Sequence, residues 1–107
     1  MRLSAEELGA PLGERATVVQ FSSTFCAPCR ATRHVVDRAV ATSHGVARVD
    51  LDVAEHTALG ERLAIDVTPT VLVLDPTGEV VRRATGVPTL AQLRSALDGA
   101  ASAVSST

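Results

Sequence analysis

The stretch VVQFSSTFCAPCRATRHVV, residues 18–36, carries both cysteines of the chain, Cys26 and Cys29, with Ala27 and Pro28 between them. In front of the pair, residues 16–23 read ATVVQFSS, β-branched and apolar, which predicts a buried strand over about Thr17–Ser22. Behind it, Ala31, Val35, Val36, Ala39 and Val40 recur at helical spacing until SHG, residues 43–45, ends the run. The cysteines therefore stand where a buried strand hands over to the first turn of a helix. The first N–H groups of a helix have no internal partner, and the macrodipole adds partial positive charge there. A thiolate at that end is stabilised, so its pKa falls from about 8.5 toward neutrality. Cys29 lies one turn on, near enough to close a small disulfide ring. Pro28 has no N–H and a pre-set φ, so it stiffens the first turn without losing a hydrogen bond. Arg30 and Arg33 either add positive potential or are solvated charges on the helix surface. The pattern suits a pair that cycles between dithiol and disulfide.

A lone C-x-x-C is also half of a zinc site, but structural zinc takes four ligands, often from two such pairs. The chain has no second pair, and its three histidines, His34, His44 and His56, give no zinc-finger spacing. Two core cysteines adjacent by chance form the remaining reading. The strand–helix setting and Pro28 argue against it.

The rest of the chain bounds the setting. Its 107 residues, 46% of them hydrophobic, suit one domain with a real core. A formal charge of −2 argues against a nucleic-acid or anionic-membrane partner. No apolar run approaches the roughly 20 residues that span a bilayer. The opening MRLSAEELGAPLGERA lacks the apolar stretch of a secretory signal, so a cytoplasmic location is expected. Structural disulfides are rare there, and a close cysteine pair more often serves redox chemistry or metal binding.

Element signals alternate along the chain. Ser4 with Glu7 forms a capping box for a short first helix. VARVDLD, residues 46–52, reads as a second strand; Asp52 with Glu55 reads as a cap for a helix holding Leu59 and Leu63. TVLVL, the turn Asp75–Gly78 and EVVRRAT form a hairpin, and Thr89 with Gln92 caps a closing helix that carries Leu90, Leu93 and Leu97. The order α-β-α-β-α-β-β-α predicts an α/β domain over residues 1–100. Its sheet is mixed, with helices on both faces, parallel strands where helices intervene and an antiparallel hairpin at the edge. There is no internal repeat. The small, polar residues 101–107 are expected to form a disordered tail.

From about Leu3 to Leu97 the chain resembles the thioredoxin family. Members carry Trp-Cys-Gly-Pro-Cys after a buried strand, where this chain has FCAPC. Some forty residues on they carry a cis-proline, where this chain has Thr68-Pro69-Thr70, and a glycine after the hairpin, where ATGV supplies Gly86. The resemblance implies the thioredoxin fold with its C-terminal hairpin. It implies Cys26 as the nucleophile and Cys29 as the resolving thiol. Pro69 would face the sulfurs in the cis form, leaving the backbone of Thr68 to pair with an extended substrate segment. Phe25, Ala27, Pro28, Thr68, Gly86 and Val87 would form an apolar lip.

The activity implied is protein-disulfide reduction by a monomer, with no prosthetic group beyond the Cys26–Cys29 disulfide and recharging by a thioredoxin reductase. The alternatives are a module holding zinc or an iron–sulfur cluster, and an adaptor whose cysteines are idle.

The chain departs from the family at four places. Gln20 stands where many members have a buried Asp, and an amide cannot accept a proton, so the usual base for activating Cys29 is missing. Arg48 occupies the position of a nearby basic residue and either modulates the site by meeting Gln20 or a water, or is a plain half-exposed strand residue. Phe25 and Ala27 replace Trp and Gly. The N-terminus is too short for a full first strand, which is expected to be short or absent.

Overall fold

Every residue of β1 (Ala16–Ser22) is buried, because this strand runs through the middle of the sheet and both its faces are covered by helices. The computed structural model describes residues 1–105, with side chains through residue 102. In chain order the elements are α1 (Ala5–Leu8), β1, α2 (Ala27–Ala41), β2 (Val46–Asp52), α3 (Thr57–Arg62), β3 (Thr70–Leu74), β4 (Val80–Thr85) and α4 (Leu90–Ser105). This is the order predicted from the sequence pattern.

The four strands lie in the order β2-β1-β3-β4. β1 pairs with β2 in parallel, from Ala16 opposite Val46 to Ser22 opposite Asp52. The expectation that intervening helices bring parallel strands holds for that pair and fails for the next. β3 runs antiparallel to β1, with Thr70 opposite Phe21. The connection through α3 does not run back along the sheet. The chain re-enters the sheet at the end where β1 and β2 finish, and the cysteines and Pro69 share that end. β4 then pairs antiparallel with β3 along the outer edge.

Alternation along the strands sorts the core into two layers. Val19 and Phe21 join Val49, Leu51, Leu72 and Leu74 beneath Leu3, Leu8 and Leu63. On the other face, Ala16, Val18, Val71 and Val73 pack under Val36 and Ala39 of α2 and Leu93, Leu97 and Ala100 of α4.

The end signals divide. Ser4 with Glu7 and Thr89 with Gln92 both make reciprocal side-chain-to-backbone bonds. Asp52 does not cap α3. Its carboxylate accepts the Ala54 N–H and its carbonyl the Glu55 N–H, which closes a turn. The helix starts later, at Thr57, with His56 in the cap position and no side-chain cap bond.

Among the described residues no strand precedes β1. Arg2 instead makes an isolated bridge with Glu79, and Leu3 N–H bonds the Gly78 carbonyl at 2.9 Å. Gly78 is fitted to that contact. Its φ is +93°, and a Cβ there would sit 2.2 Å from the Leu3 carbonyl oxygen. α4 continues to Ser105, past the boundary at residue 100 expected for the domain, and the last residues of the expected 101–107 tail lie outside the described residues. No helix is long and apolar enough to cross a membrane among the described residues.

Candidate active site

The end of β1 runs through residues 23–25 directly into α2, and Cys26 sits at the junction. It is the N-cap of α2, with extended backbone, and its Sγ lies 3.1 Å from the Cys29 N–H that it accepts. A sulfur thus occupies the place where a Ser or Asp oxygen usually satisfies the first free N–H groups of a helix. Cys26 and Cys29 are joined in a disulfide, with Cα atoms 5.2 Å apart. Cys29 is wholly buried, while Cys26 is partly exposed. Pro28 lies within the first turn, as the sequence predicts.

Two other segments reach the same spot through the sheet register. Thr70 stands opposite Phe21 on one side and Thr85 on the other, so the residues just before β3 and just after β4 flank the sulfurs. The Thr68–Pro69 peptide is cis. Cys26 Sγ is 3.9 Å from the Thr68 carbonyl oxygen and 4.0 Å from its hydroxyl, which also bonds Ser23 Oγ at 2.7 Å. Pro69 is buried, and its carbonyl accepts the Gly86 N–H at 3.0 Å.

Around these residues the surface is apolar. Phe25 is 101% exposed, and Val67 and Val87 about half exposed; Ala27 and Pro28 are exposed as well. Phe25 stands clear of the body of the protein with φ +56°, a left-handed conformation that bulky residues rarely adopt. Val67 was not singled out from sequence; its signal was an apolar side chain beside the Thr68-Pro69 pair. On the other side of Cys26 a cleft of about 410 Å³ is lined by Arg30, Arg33, Asp50, Asp52, Glu55 and His56 together with Phe25 and Cys26.

Gln20, 1% exposed, lies against the backbone of Cys29. Its Nε2 donates to Ser22 Oγ and to the Cys29 carbonyl, each at 3.0 Å. Ser22 Oγ donates in turn to Asp50 Oδ1 at 3.0 Å, and Asp50 Oδ2 pairs with Arg33 of α2. Ser22 and Asp50 were not identified from sequence, although period-2 alternation puts Gln20 and Ser22 on one face and Asp50 is the β2 neighbour of Gln20. Arg48 does not meet Gln20. It pairs with Asp37 of α2, so its charge is spent on tying β2 to that helix. Among the described residues no group of three or more side chains could hold a metal ion.

The thioredoxin family model matches residues 5–99. The mitochondrial thioredoxins of Bos taurus and Mus musculus are each 33% identical to this chain over 87 residues, covering 78% of it and 51% of their own length. The chain thus spans about half the length of the curated relatives it matches. Among solved structures, thioredoxin NaTrxh from Nicotiana alata is 26% identical with a TM-score of 0.72, covering 82% of this chain and 75% of that one. A mutant thioredoxin from Halobacterium salinarum, 23% identical, shares the fold with a TM-score of 0.73 over 82% of this chain and 76% of its own.

Proposed function

The chain belongs to the thioredoxin family, and from that premise we propose that it is a thiol–disulfide oxidoreductase that reduces disulfides in proteins. The observation that carries the reading is the placement of the two sulfurs. Cys26 is partly exposed at the N-cap of α2 and accepts the Cys29 N–H, while Cys29 is wholly buried behind it.

In the dithiol form that N–H and the helix dipole stabilise the Cys26 thiolate. The thiolate attacks one sulfur of a substrate disulfide. The substrate S–S bond breaks, its other sulfur leaves and takes up a proton, and Cys26 is held in a mixed disulfide. Cys29 then gives up its proton and attacks Cys26 Sγ, expelling the second substrate sulfur as a thiol. Two electrons have passed to the substrate, and the Cys26–Cys29 disulfide remains.

The backbone of Thr68, 3.9 Å from Cys26 Sγ, pairs with an extended substrate segment in this reading. Phe25, Ala27, Pro28, Gly86 and Val87, with Val67, supply the apolar rim it lies against, and Pro69 backs the sulfurs. Gln20 modulates Cys29 directly, and Arg48 acts only by holding Asp37 of α2. The working unit is a monomer of residues 1–100 with no prosthetic group, recharged by a thioredoxin reductase in a reducing compartment such as the cytosol.

The test is insulin reduction with dithiothreitol alongside a redox titration of the cysteine pair by thiol labelling and mass spectrometry. A potential near about −270 mV supports a reductase, and one near about −120 mV overturns that direction in favour of an oxidant. Alkylation of Cys26 at neutral pH no faster than free cysteine would remove the reading altogether.

A further inference from the structure

The amide of Gln20 has a fixed orientation. The Cys29 carbonyl can only accept, and the one hydroxyl proton of Ser22 is committed to the Asp50 carboxylate. Both partners therefore need the Nε2 end, and a flipped amide would press its oxygen against two acceptors. Gln20 Oε1 is left buried and is the one buried side-chain polar atom without a partner among the described residues. Leaving such an acceptor unpaired lowers the folding equilibrium constant about tenfold or more. A buried polar group of that kind needs a cause.

The disulfide offers it nothing, because neither sulfur carries a proton. Reduction creates an S–H on Cys29, the residue whose carbonyl already lies 3.0 Å from the same amide. Resting on the function proposed above, we infer that Gln20 Oε1 accepts the Cys29 thiol proton in the reduced protein, a positioning contact present in the dithiol and absent in the disulfide. The amide holds this proton in a hydrogen bond and does not take it. When Cys29 resolves a mixed disulfide, the S–H···O contact breaks and its sulfur bonds Cys26 Sγ. The Cys26–substrate bond breaks, and the proton ends on the departing substrate thiolate.

Two consequences share one origin. A hydrogen bond to the neutral thiol disfavours the thiolate, so Cys29 ionises at higher pH. A contact made only in the reduced form stabilises the dithiol and makes the couple more oxidising.

The experiment compares the full chain with Gln20→Leu. The dithiol–disulfide equilibrium constant, titrated against glutathione, is expected to move about tenfold toward the disulfide, which for two electrons is about 30 mV more reducing. The infrared S–H stretch of reduced Cys26→Ser, which isolates Cys29, is expected below the free-thiol position and should return to it when Gln20→Leu is added. A purely structural Gln20 would change stability and move neither readout. An equilibrium constant within twofold of the parent, or an S–H band unmoved by Gln20→Leu, overturns the inference. Should Gln20→Leu fail to fold, a free-thiol band in Cys26→Ser alone overturns it. Insulin reduction by the parent chain is run in parallel. An inactive parent defeats the functional reading, whereas an active parent with an unmoved constant defeats only this contact.

Discussion

Two buried polar side chains, Asp75 and Gln20, solve the same problem in opposite ways. Asp75 begins the turn between β3 and β4. Its Oδ1 accepts three donors, the Thr77 N–H at 2.9 Å, the Thr77 hydroxyl at 2.6 Å and the Glu79 N–H at 3.1 Å. All three come from within four residues. Gln20 lies mid-strand and draws its partners from its own strand and from α2, with Asp50 of β2 behind Ser22. It still leaves Oε1 unpaired. A carboxylate with three donors on one oxygen serves the turn. An amide with one need unmet is retained where chemistry changes the number of donors nearby.

The contrast can be broken in several places. The largest effect is expected at the sulfur end: Cys26→Ser abolishes insulin reduction and leaves the thermal midpoint near that of the reduced parent. Loss of both together would mean that the site and the fold are not separable. At the other end, Asp75→Ala removes an acceptor from three donors and is expected to lower stability by about 2 kcal/mol in urea titration. The redox equilibrium of the cysteines should stay put, and a shift there would couple the turn to the active site.

Gly78→Ala tests the same turn through the backbone. With φ +93° and the Leu3 carbonyl 2.2 Å from the new Cβ, it should cost about 1–2 kcal/mol, and a neutral result would show that Met1–Leu3 can shift freely. Gln20→Asp returns a proton acceptor to the place below Cys29. Turnover should rise several-fold, short of the roughly 100-fold and more that a well-placed general base contributes, and unchanged or slower turnover would count against a missing base. Phe25→Ala, which removes a side chain that packs on nothing, should raise the KM for a protein substrate a few-fold with stability unchanged.

Acid gives the smallest and most local reading of the turn. Burial pushes the Asp75 carboxyl up, but the hydrogen bonds from the Thr77 hydroxyl and the Glu79 and Thr77 N–H groups outweigh it, and its pKa ends below the usual carboxylate value. A folded pKa below the unfolded one means the unfolded chain takes the proton first as pH drops. The contribution is therefore full above about pH 4 and lost as pH falls through the folded value. Asp75→Asn should flatten that part of the stability profile; an unaltered profile would assign the acid sensitivity elsewhere.

Much of this was legible in the sequence because it depends on short separations. The Ser4–Glu7 and Thr89–Gln92 caps, the Asp75–Gly78 turn and the Cys26–Pro28–Cys29 start of α2 are each set within four residues. The cap assigned to Asp52 failed at the same range, because its carboxylate found a nearer N–H at Ala54 and closed a turn before a helix could begin. The antiparallel entry of β3 was not legible, since strand direction is settled by pairing with β1, a partner distant in the chain. The resemblance offered Arg48 a contact with Gln20 or a plain half-exposed strand position; the strand position holds, and α2 packed across β2 supplies its partner Asp37.

The order of elements, the two apolar faces of the strands and the position of a cysteine pair at the head of a helix can all be read along the chain. These follow from periodicity and from the unpaired N–H groups that every helix start presents. What surrounds those sulfurs depends on how distant segments pack. Thr68, Gly86 and Asp50 lie 42, 60 and 24 residues from Cys26 in the numbering, and strand register, not local preference, brings them within reach. Register likewise joins Ser22 to Asp50 and so turns the amide of Gln20, because a hydroxyl with one proton can satisfy a carboxylate or an amide oxygen, and the packing of β2 against β1 chose the carboxylate.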